Sequence, residues 1–230
     1  MSAVEVLAGV DIVALRLSEE GALQVLLLRR QREPYAGQWA LPGVLINGRC
    51  ADASLDAAAA RALEDKARLQ PHYLEQVATV GNGVRDPRGW SLSTCYLALL
   101  APDAEPQDDN LRFVELSGLT AGAQALPFDH TQLVRLAVER LRGKSVYSSL
   151  PLYLLAPRFT VTEALTAFQA CLGEPVQHTT LRGRLERMKA QGWISDTGQK
   201  NYPKMGRPQN LLEHGPHTGE AFIFDRSLLA

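Results

Sequence analysis

Residues 41–69, LPGVLINGRCADASLDAAAARALEDKARL, constrain this chain more than any other stretch. A Pro-Gly turn opens it and a polar loop follows. Leu55, Ala58, Ala59, Ala62 and Leu63 then fall at i, i+3, i+4, i+7 and i+8, one face of a helix expected over residues 54–69. Alanines on that face suit close packing on a sheet.

The strands for such a sheet are legible on both sides. Apolar runs at 4–15 and 23–29 surround the turn signal at 18–21, which predicts a hairpin. Further strands are expected at 74–80, 91–100 and 112–116, with a Gly/Pro loop, GNGVRDPRGW, between the first two. Asp129 is the expected N-cap of a helix over 131–142, with Gly143 as its stop. Beyond Gly143 the pattern changes. Residues 147–155 form an apolar bridge, Thr160-Val161-Thr162-Glu163 is a capping box, and Ala164, Leu165, Phe168 and Leu172 make a core stripe ending at Gly173. A basic helix at 179–190 follows, and short strands at 193–194 and 210–212 flank a basic loop at 199–208. Helix, turn, basic helix, hairpin is the order of a winged helix-turn-helix. The expected architecture is α/β, with residues 1–143 as one domain, an α/β/α sandwich with a mixed sheet, and 144–230 as the winged helix.

Composition adds limits rather than a function. The 230 residues are 46% apolar with a formal net charge of -1, which leaves room for one large or two modest domains. Cys50, Cys95 and Cys171 are odd in number, far apart and in no metal-ligand spacing. They point to free thiols in a reducing compartment. The N-terminus carries acids and no basic leader, and no apolar run approaches a membrane span, so a cytoplasmic protein with no membrane partner is expected.

The 41–69 stretch resembles a Nudix box, in which a Gly-rich loop runs into a helix carrying Arg-Glu-apolar-x-Glu-Glu-x-Gly-apolar. With Arg61 as the box arginine, Ala62 stands where the first glutamate belongs. Asp65 and Lys66 replace the Glu-Glu pair, and Arg68 replaces the glycine. If Val44 replaces the second loop glycine, it lies 17 residues before Arg61 where the motif spaces them by about 14. The box's carboxylates hold Mg2+, an ion that takes near-octahedral oxygen coordination and clamps a diphosphate for attack by water. A lysine beside one aspartate opposes a divalent cation. The expectation is a pocket that holds a diphosphate without catalytic residues or a metal site; the alternative is a site rebuilt from Asp65, Glu64 and an acid from elsewhere.

Between Thr179 and Asn210 stand seven cations, Arg182, Arg184, Arg187, Lys189, Lys200, Lys204 and Arg207, against two acids, Glu186 and Asp196, leaving +5 on a slightly acidic chain. A solvated helix face would also be charged. The adjacent hairpin, rich in Lys, Gly and Pro, favours phosphate contact instead. Thr179, Thr180, Arg182 and Arg184 are the candidates to face double-stranded DNA from the first turns of a recognition helix, with Lys200, Lys204 and Arg207 on the wing. One such module contacts few base pairs, so a homodimer on a palindromic operator is expected.

In the first half, Arg85 and Arg88 share one turn, and guanidinium forks match phosphate oxygens. They are the first choices for effector contact, against the reading that either pairs with Asp86 in a structural salt bridge. Trp39, Tyr35 and Arg30 are further candidates to stack on a base or face the cleft.

Taken together, Leu41-Pro42-Gly43, Arg61, Val80-Gly81-Asn82, Arg85-Asp86-Pro87-Arg88-Gly89-Trp90, Phe128-Asp129-His130, Arg140-Leu141-Arg142-Gly143-Lys144, Phe159-Thr160, Asp196-Thr197-Gly198 and Gly206-Arg207-Pro208 resemble the NrtR family, Nudix-related transcriptional regulators of NAD metabolism. The resemblance spans nearly the whole chain. It implies a dimeric repressor of NAD biosynthesis or salvage genes that leaves its operator when ADP-ribose, or a related NAD-derived nucleotide, occupies the cleft. Asp86 joins the effector-binding candidates through the same loop, and no cofactor is required. The rival from another class is a working Nudix hydrolase, an ADP-ribose pyrophosphatase with an accessory C-terminal domain.

Overall fold

The computed structural model describes residues 6–48, 52–120, 125–202, 207–217 and 219–224. Strands β1 (Leu7–Leu17) and β2 (Leu23–Arg29) form the expected antiparallel hairpin, with Leu15 opposite Val25. β3 (Trp39–Ala40) pairs with β2, and β4 (Gly43–Leu45) lies antiparallel to β1. After helix α1 (Leu55–Ala67) come β5 (Tyr73–Asn82) and β6 (Ser91–Leu99), antiparallel to each other, with β6 parallel to β1. β7 (Leu111–Glu115) pairs with β2. The sheet is therefore mixed and has seven strands, with the central order β3-β2-β1-β6-β5.

Alternation along β1 divides the core between two layers. Val10, Ile12 and Ala14 face α1, whose buried Ala58, Ala59, Ala62 and Leu63 permit close approach. Val13, Leu15 and Leu17 face the other way, toward Leu133, Val134, Ala137 and Leu141 of a second long helix. That helix, α3 (His130–Ser145), follows the short α2 (Leu116–Thr120). Ser54 caps α1 by accepting the Ala57 N–H at 3.1 Å. At the other end Arg68 takes φ 54 and ψ 37, and its N–H donates to the Glu64 carbonyl at 3.0 Å. An arginine thus holds a left-handed conformation at the position where the box pattern has a glycine.

Two expectations about α3 need correction. The helix does not stop at Gly143 but continues to Ser145, because Leu141 and Ser145 are both buried and the Ser145 hydroxyl bonds back to the Leu141 carbonyl at 2.6 Å. Asp129 stands at the N-cap position yet makes no side-chain capping hydrogen bond. Its carboxylate is engaged elsewhere, as described below.

The second half contains a short 3-10 helix (Leu150–Leu154), β8 (Arg158–Phe159), α4 (Val161–Leu172), α5 (His178–Ala190), β9 (Ile194–Asn201) and β10 (Gln209–His214). This is the winged helix-turn-helix order, with one addition. β8 pairs with β10, so the wing is a three-stranded sheet, β8-β10-β9. Both hydrogen bonds of the Thr160–Glu163 capping box form, and Gly173 ends α4 in the left-handed conformation. Phe168 of α4 and Leu181, Leu185 and Met188 of α5 join the same apolar cluster as α3, so one core runs through both halves. Polar contacts reinforce the junction: Arg142 Nε donates to the Leu172 carbonyl at 2.7 Å, and an Arg184 amino group donates to the Val146 carbonyl at 2.6 Å. Among the described residues no helix is long and apolar enough to cross a membrane.

Candidate functional site

A cleft of about 760 Å3 opens where β1, β4, the loop after β2 and the 82–90 loop converge. That volume is in the range of about 300–1,000 Å3 usual for small-molecule sites. Its cationic lining comes from Arg29, Arg30, Arg32, Arg61, Lys66, Arg85 and Arg88, and Phe128, Leu41 and Val44 add apolar surface. Gly43 admits the box loop to this place: a Cβ there would collide with the Asp11 carboxylate and the Val10 carbonyl.

Arg30 stands out among the cations. It donates to the Pro34 carbonyl at 2.7 Å and lies over the Phe128 ring, 4.8 Å from its centroid. Among the described residues no carboxylate comes within ion-pair distance of it. Burial, and then the nearby Arg88 charge, push its guanidinium below the ordinary value. Two arginines that repel each other across a cleft favour an anion between them. Arg88 is 42% exposed and pairs with the buried Asp86 at 2.7 Å.

Arg85 points inward instead. Asn82 Oδ1 accepts the N–H groups of Val84 and Arg85 and sets the turn, and the Arg85 side chain, only 6% exposed, makes two 2.8 Å hydrogen bonds to Asp129. Asp11 lies 3.4 Å from the same guanidinium and accepts from Ser93 Oγ at 2.6 Å. Burial alone would lower the Arg85 pKa, but the hydrogen bonds and charge of Asp129 raise it. His130 completes the floor. Its Nδ1 accepts the Leu41 N–H at 3.0 Å, and Nε2 lies 3.5 Å from Asp11. Burial holds its pKa down, so the ring is neutral and carries its proton on Nε2, facing Asp11.

The carboxylates of the box-like helix do not form a metal cage. Asp65 lies 3.6 Å from Arg61, Glu64 accepts from Gln70, and Asp52 is gripped by Arg61 through two 2.8 Å hydrogen bonds. The Asp52 carboxyl is lowered to about 2, chiefly by Arg61 and then by the Asn47 N–H. Among the described residues no three His, Cys, Asp or Glu side chains could hold a metal ion together. An acid pinned by an arginine, beside Lys66, is a poor donor for Mg2+, which needs several free oxygens. The residues present do not fit that ion.

On the other half, Thr179, Thr180 and Arg182 are exposed in the first turns of α5, and Lys200 and Arg207 are exposed on the hairpin. Gln177, the N-cap, makes no side-chain capping bond to α5. A groove of about 450 Å3 lies between helix and hairpin, lined by Arg182, Arg207, Asn210 and Thr162 among others.

The two halves have counterparts in known proteins. The chain is 37% identical over 185 residues, 79% of its length and 72% of the relative's, to the ADPR responsive transcriptional repressor NtrR of Acinetobacter baylyi. The chain belongs to the NrtR family. Shewanella oneidensis NrtR, solved in complex with a 27mer DNA, is 36% identical and superposes with a TM-score of 0.83, over 92% of this chain and 95% of that one. The NUDIX domain of the same protein, solved with ADP ribose, is 38% identical with a TM-score of 0.54, over 60% of this chain and 90% of that one. No protein-family model matches the chain.

In this NrtR-family chain the candidates read from sequence sort unevenly. Arg30, Arg85, Asp86 and Arg88 line the cleft, whereas Tyr35 and Trp39 are not among the described residues that line it. Tyr35 packs edge-on against Phe128 at 4.8 Å, and Trp39 lies against the core beneath Arg112, 4.1 Å from its ring centroid. The Arg88–Asp86 ion pair is the structural bridge weighed above, and Arg85 chose other partners. On α5, Arg184 is turned toward the junction, over Phe224 and onto Val146, while Lys189 is neutralised by Glu186 and Asp196. Lys204 lies outside the described residues. Sequence reasoning missed Asp11, Ser93 and His130 as cleft residues. Asp11 left a signal, a carboxylate in the middle of an apolar run, residues 6–15. Ser93 left none.

Proposed function

We propose that this protein is an ADP-ribose-responsive transcriptional repressor: it holds an operator through α5 and the wing, and leaves it when ADP-ribose fills the cleft. Residues 1–143 are the effector-reading half and 144–230 the DNA-reading half, joined through α3. The observation that carries the reading is an arginine-lined cleft of small-molecule size, with no carboxylate cage among the described residues, in one core with a winged helix-turn-helix. The NUDIX domain solved with ADP ribose and the NrtR solved with DNA support each half.

Arg30 and Arg88 face the diphosphate, with Arg85 and Asp86 setting the loop beneath it. Thr179, Thr180 and Arg182 read the major groove, and Lys200, Lys204 and Arg207 contact backbone. Two copies bind a palindrome, and the regulated genes belong to NAD biosynthesis or salvage. Because effector and operator favour different arrangements, each lowers affinity for the other by the same factor. The cleft binds without hydrolysing, since catalysis of diphosphate cleavage requires a metal that this donor set does not hold.

The test is operator affinity for the chain's own upstream promoter DNA, measured with and without ADP-ribose, alongside an assay for AMP release with Mg2+. Loss of DNA binding with ADP-ribose and no AMP is the expected result. DNA binding indifferent to saturating ADP-ribose would remove the reading, and Mg2+-dependent AMP release would return the hydrolase.

A further inference from the structure

The Asp129 carboxylate stands between two sets of donors and satisfies only one. The Arg85 guanidinium takes both carboxylate oxygens at 2.8 Å, and the first turn of α3, which an N-cap aspartate ordinarily bonds through its side chain, is bonded only by the Asp129 carbonyl, which accepts the Gln132 and Leu133 N–H groups. The residues on either side hold the remaining walls of the cleft. Phe128, at φ 58 in a left-handed conformation that non-glycine residues rarely adopt, meets Tyr35 at 4.8 Å and Arg30 at 4.8 Å. His130 accepts the Leu41 N–H that begins the box loop. Three consecutive residues thus touch the loop after β2, the 82–90 loop and the box loop, and all three sit at the start of one helix.

The far end of that helix touches the DNA-reading half. Arg142 donates to the last carbonyl of α4 and packs against Gly173, and Arg184 of α5 donates to Val146, the residue that ends α3. A packed helix carries a shift at one end to the other as a rigid body.

We infer that Asp129 is the switch carboxylate that couples the two sites, a positioning residue rather than one that touches the effector; the inference rests on the repressor reading above. A diphosphate entering the cleft competes for Arg85. Released from Arg85, the Asp129 carboxylate turns to the start of α3, where the Thr131 N–H has no backbone acceptor among the described residues while those of His130, Gln132 and Leu133 do, and where an anion is favoured by the helix dipole. Phe128 and His130 move with it, and the start of α3 reseats. The Arg85–Asp129 clasp therefore belongs to the operator-binding arrangement, and the capped helix belongs to the effector-bound one.

The test uses the full chain and a duplex carrying its own operator, with operator affinity read by anisotropy with and without ADP-ribose. Asp129→Ser keeps a capping side chain but cannot clasp a guanidinium. In this variant ADP-ribose binds at least as tightly as in wild type, while the ratio of operator affinities falls to within about twofold of one, against the 5- to 150-fold range of typical couplings. Hydrogen exchange supplies an independent reading, because the Thr131 amide becomes more protected on ADP-ribose addition in wild type and does not respond in the variant. A serine variant with the wild-type ratio, or a wild-type Thr131 amide blind to ADP-ribose, would overturn the switch while leaving the repressor reading intact. Wild-type operator binding indifferent to ADP-ribose would sink both. Should the serine variant not fold, Asp129→Asn, equal in shape but uncharged, must also reduce the ratio.

Discussion

Arg85 and Asp129, 44 residues apart in sequence, are joined by two 2.8 Å hydrogen bonds in a place where the arginine side chain is only 6% exposed. Removing one partner of such a buried pair typically costs about 3–5 kcal/mol, because the other is left charged and uncompensated. Without effector the Arg85 charge is therefore taken up by Asp129, and the charge first presented to an entering ligand comes from elsewhere in the cleft. Arg30, without a carboxylate partner among the described residues, presents it most freely.

Arg30→Ala should weaken ADP-ribose binding by about 10- to 150-fold, the value of one charge-assisted hydrogen bond of about 1.5–3 kcal/mol. Operator affinity without effector should change little. Calorimetric titration with ADP-ribose, paired with anisotropy on operator DNA, checks both. Arg85→Ala should differ by lowering the melting temperature as well as affinity, and a stable Arg85→Ala protein would contradict the buried clasp.

Two arginines on the same helix should separate by assay. Arg182 is exposed at the start of α5, so Arg182→Ala should reduce operator affinity and, if it contacts a phosphate, flatten the salt dependence by about one unit of slope. Arg184 donates to Val146 and lies over Phe224 at 4.8 Å, so Arg184→Ala should act first on thermal stability. Equal loss of DNA binding at unchanged melting temperature for both would place Arg184 in the groove after all.

Arg68 ends α1 at φ 54, a conformation that costs a side-chain-bearing residue about 1 kcal/mol and glycine almost nothing. Arg68→Gly restores the box residue and should raise stability by about that amount. A urea melt reads the gain directly, and a lower midpoint would mean that the arginine makes a compensating contact.

Burial depresses the His130 pKa, so the folded protein holds the ring neutral over a range where the unfolded chain binds a proton. The unfolded state takes up the extra proton below about pH 6.5, and stability is lost as pH falls from there toward the folded pKa. The half-buried His214 is depressed too, by burial and then by the nearby His72, and adds in the same direction. Chemical melts between pH 7.5 and 5, as order-of-magnitude bounds around the histidine range, should show falling stability. His130→Gln should make that slope shallower, and an identical slope would remove His130 as a contributor.

How much of this was legible follows from what each signal depends on. Alternation in residues 7–17, the alanine face of α1 and the Thr160–Glu163 box are local patterns, and each element formed where its pattern lies. The extension of α3 past Gly143 was not legible, since glycine ends a helix only when no buried residue follows, and here Ser145 does. Charge was read least well. Arg85 and Arg88 sit on one turn, yet one turns inward to Asp129 and the other pairs with Asp86; Arg182 and Arg184 are two residues apart, yet only the second reaches Val146.

The amino-acid sequence by itself determined the secondary elements, the mixed α/β sandwich joined to a winged helix, and the loss of the box carboxylates. Hydrophobic spacing and side-chain identity act over a turn or a strand, and both can be counted along the chain. Only the tertiary structure decided which charges face the cleft and which are consumed within the protein. A guanidinium reaches several ångströms from its backbone, and its partner is whichever carboxylate or carbonyl the packing of distant elements brings within hydrogen-bond distance.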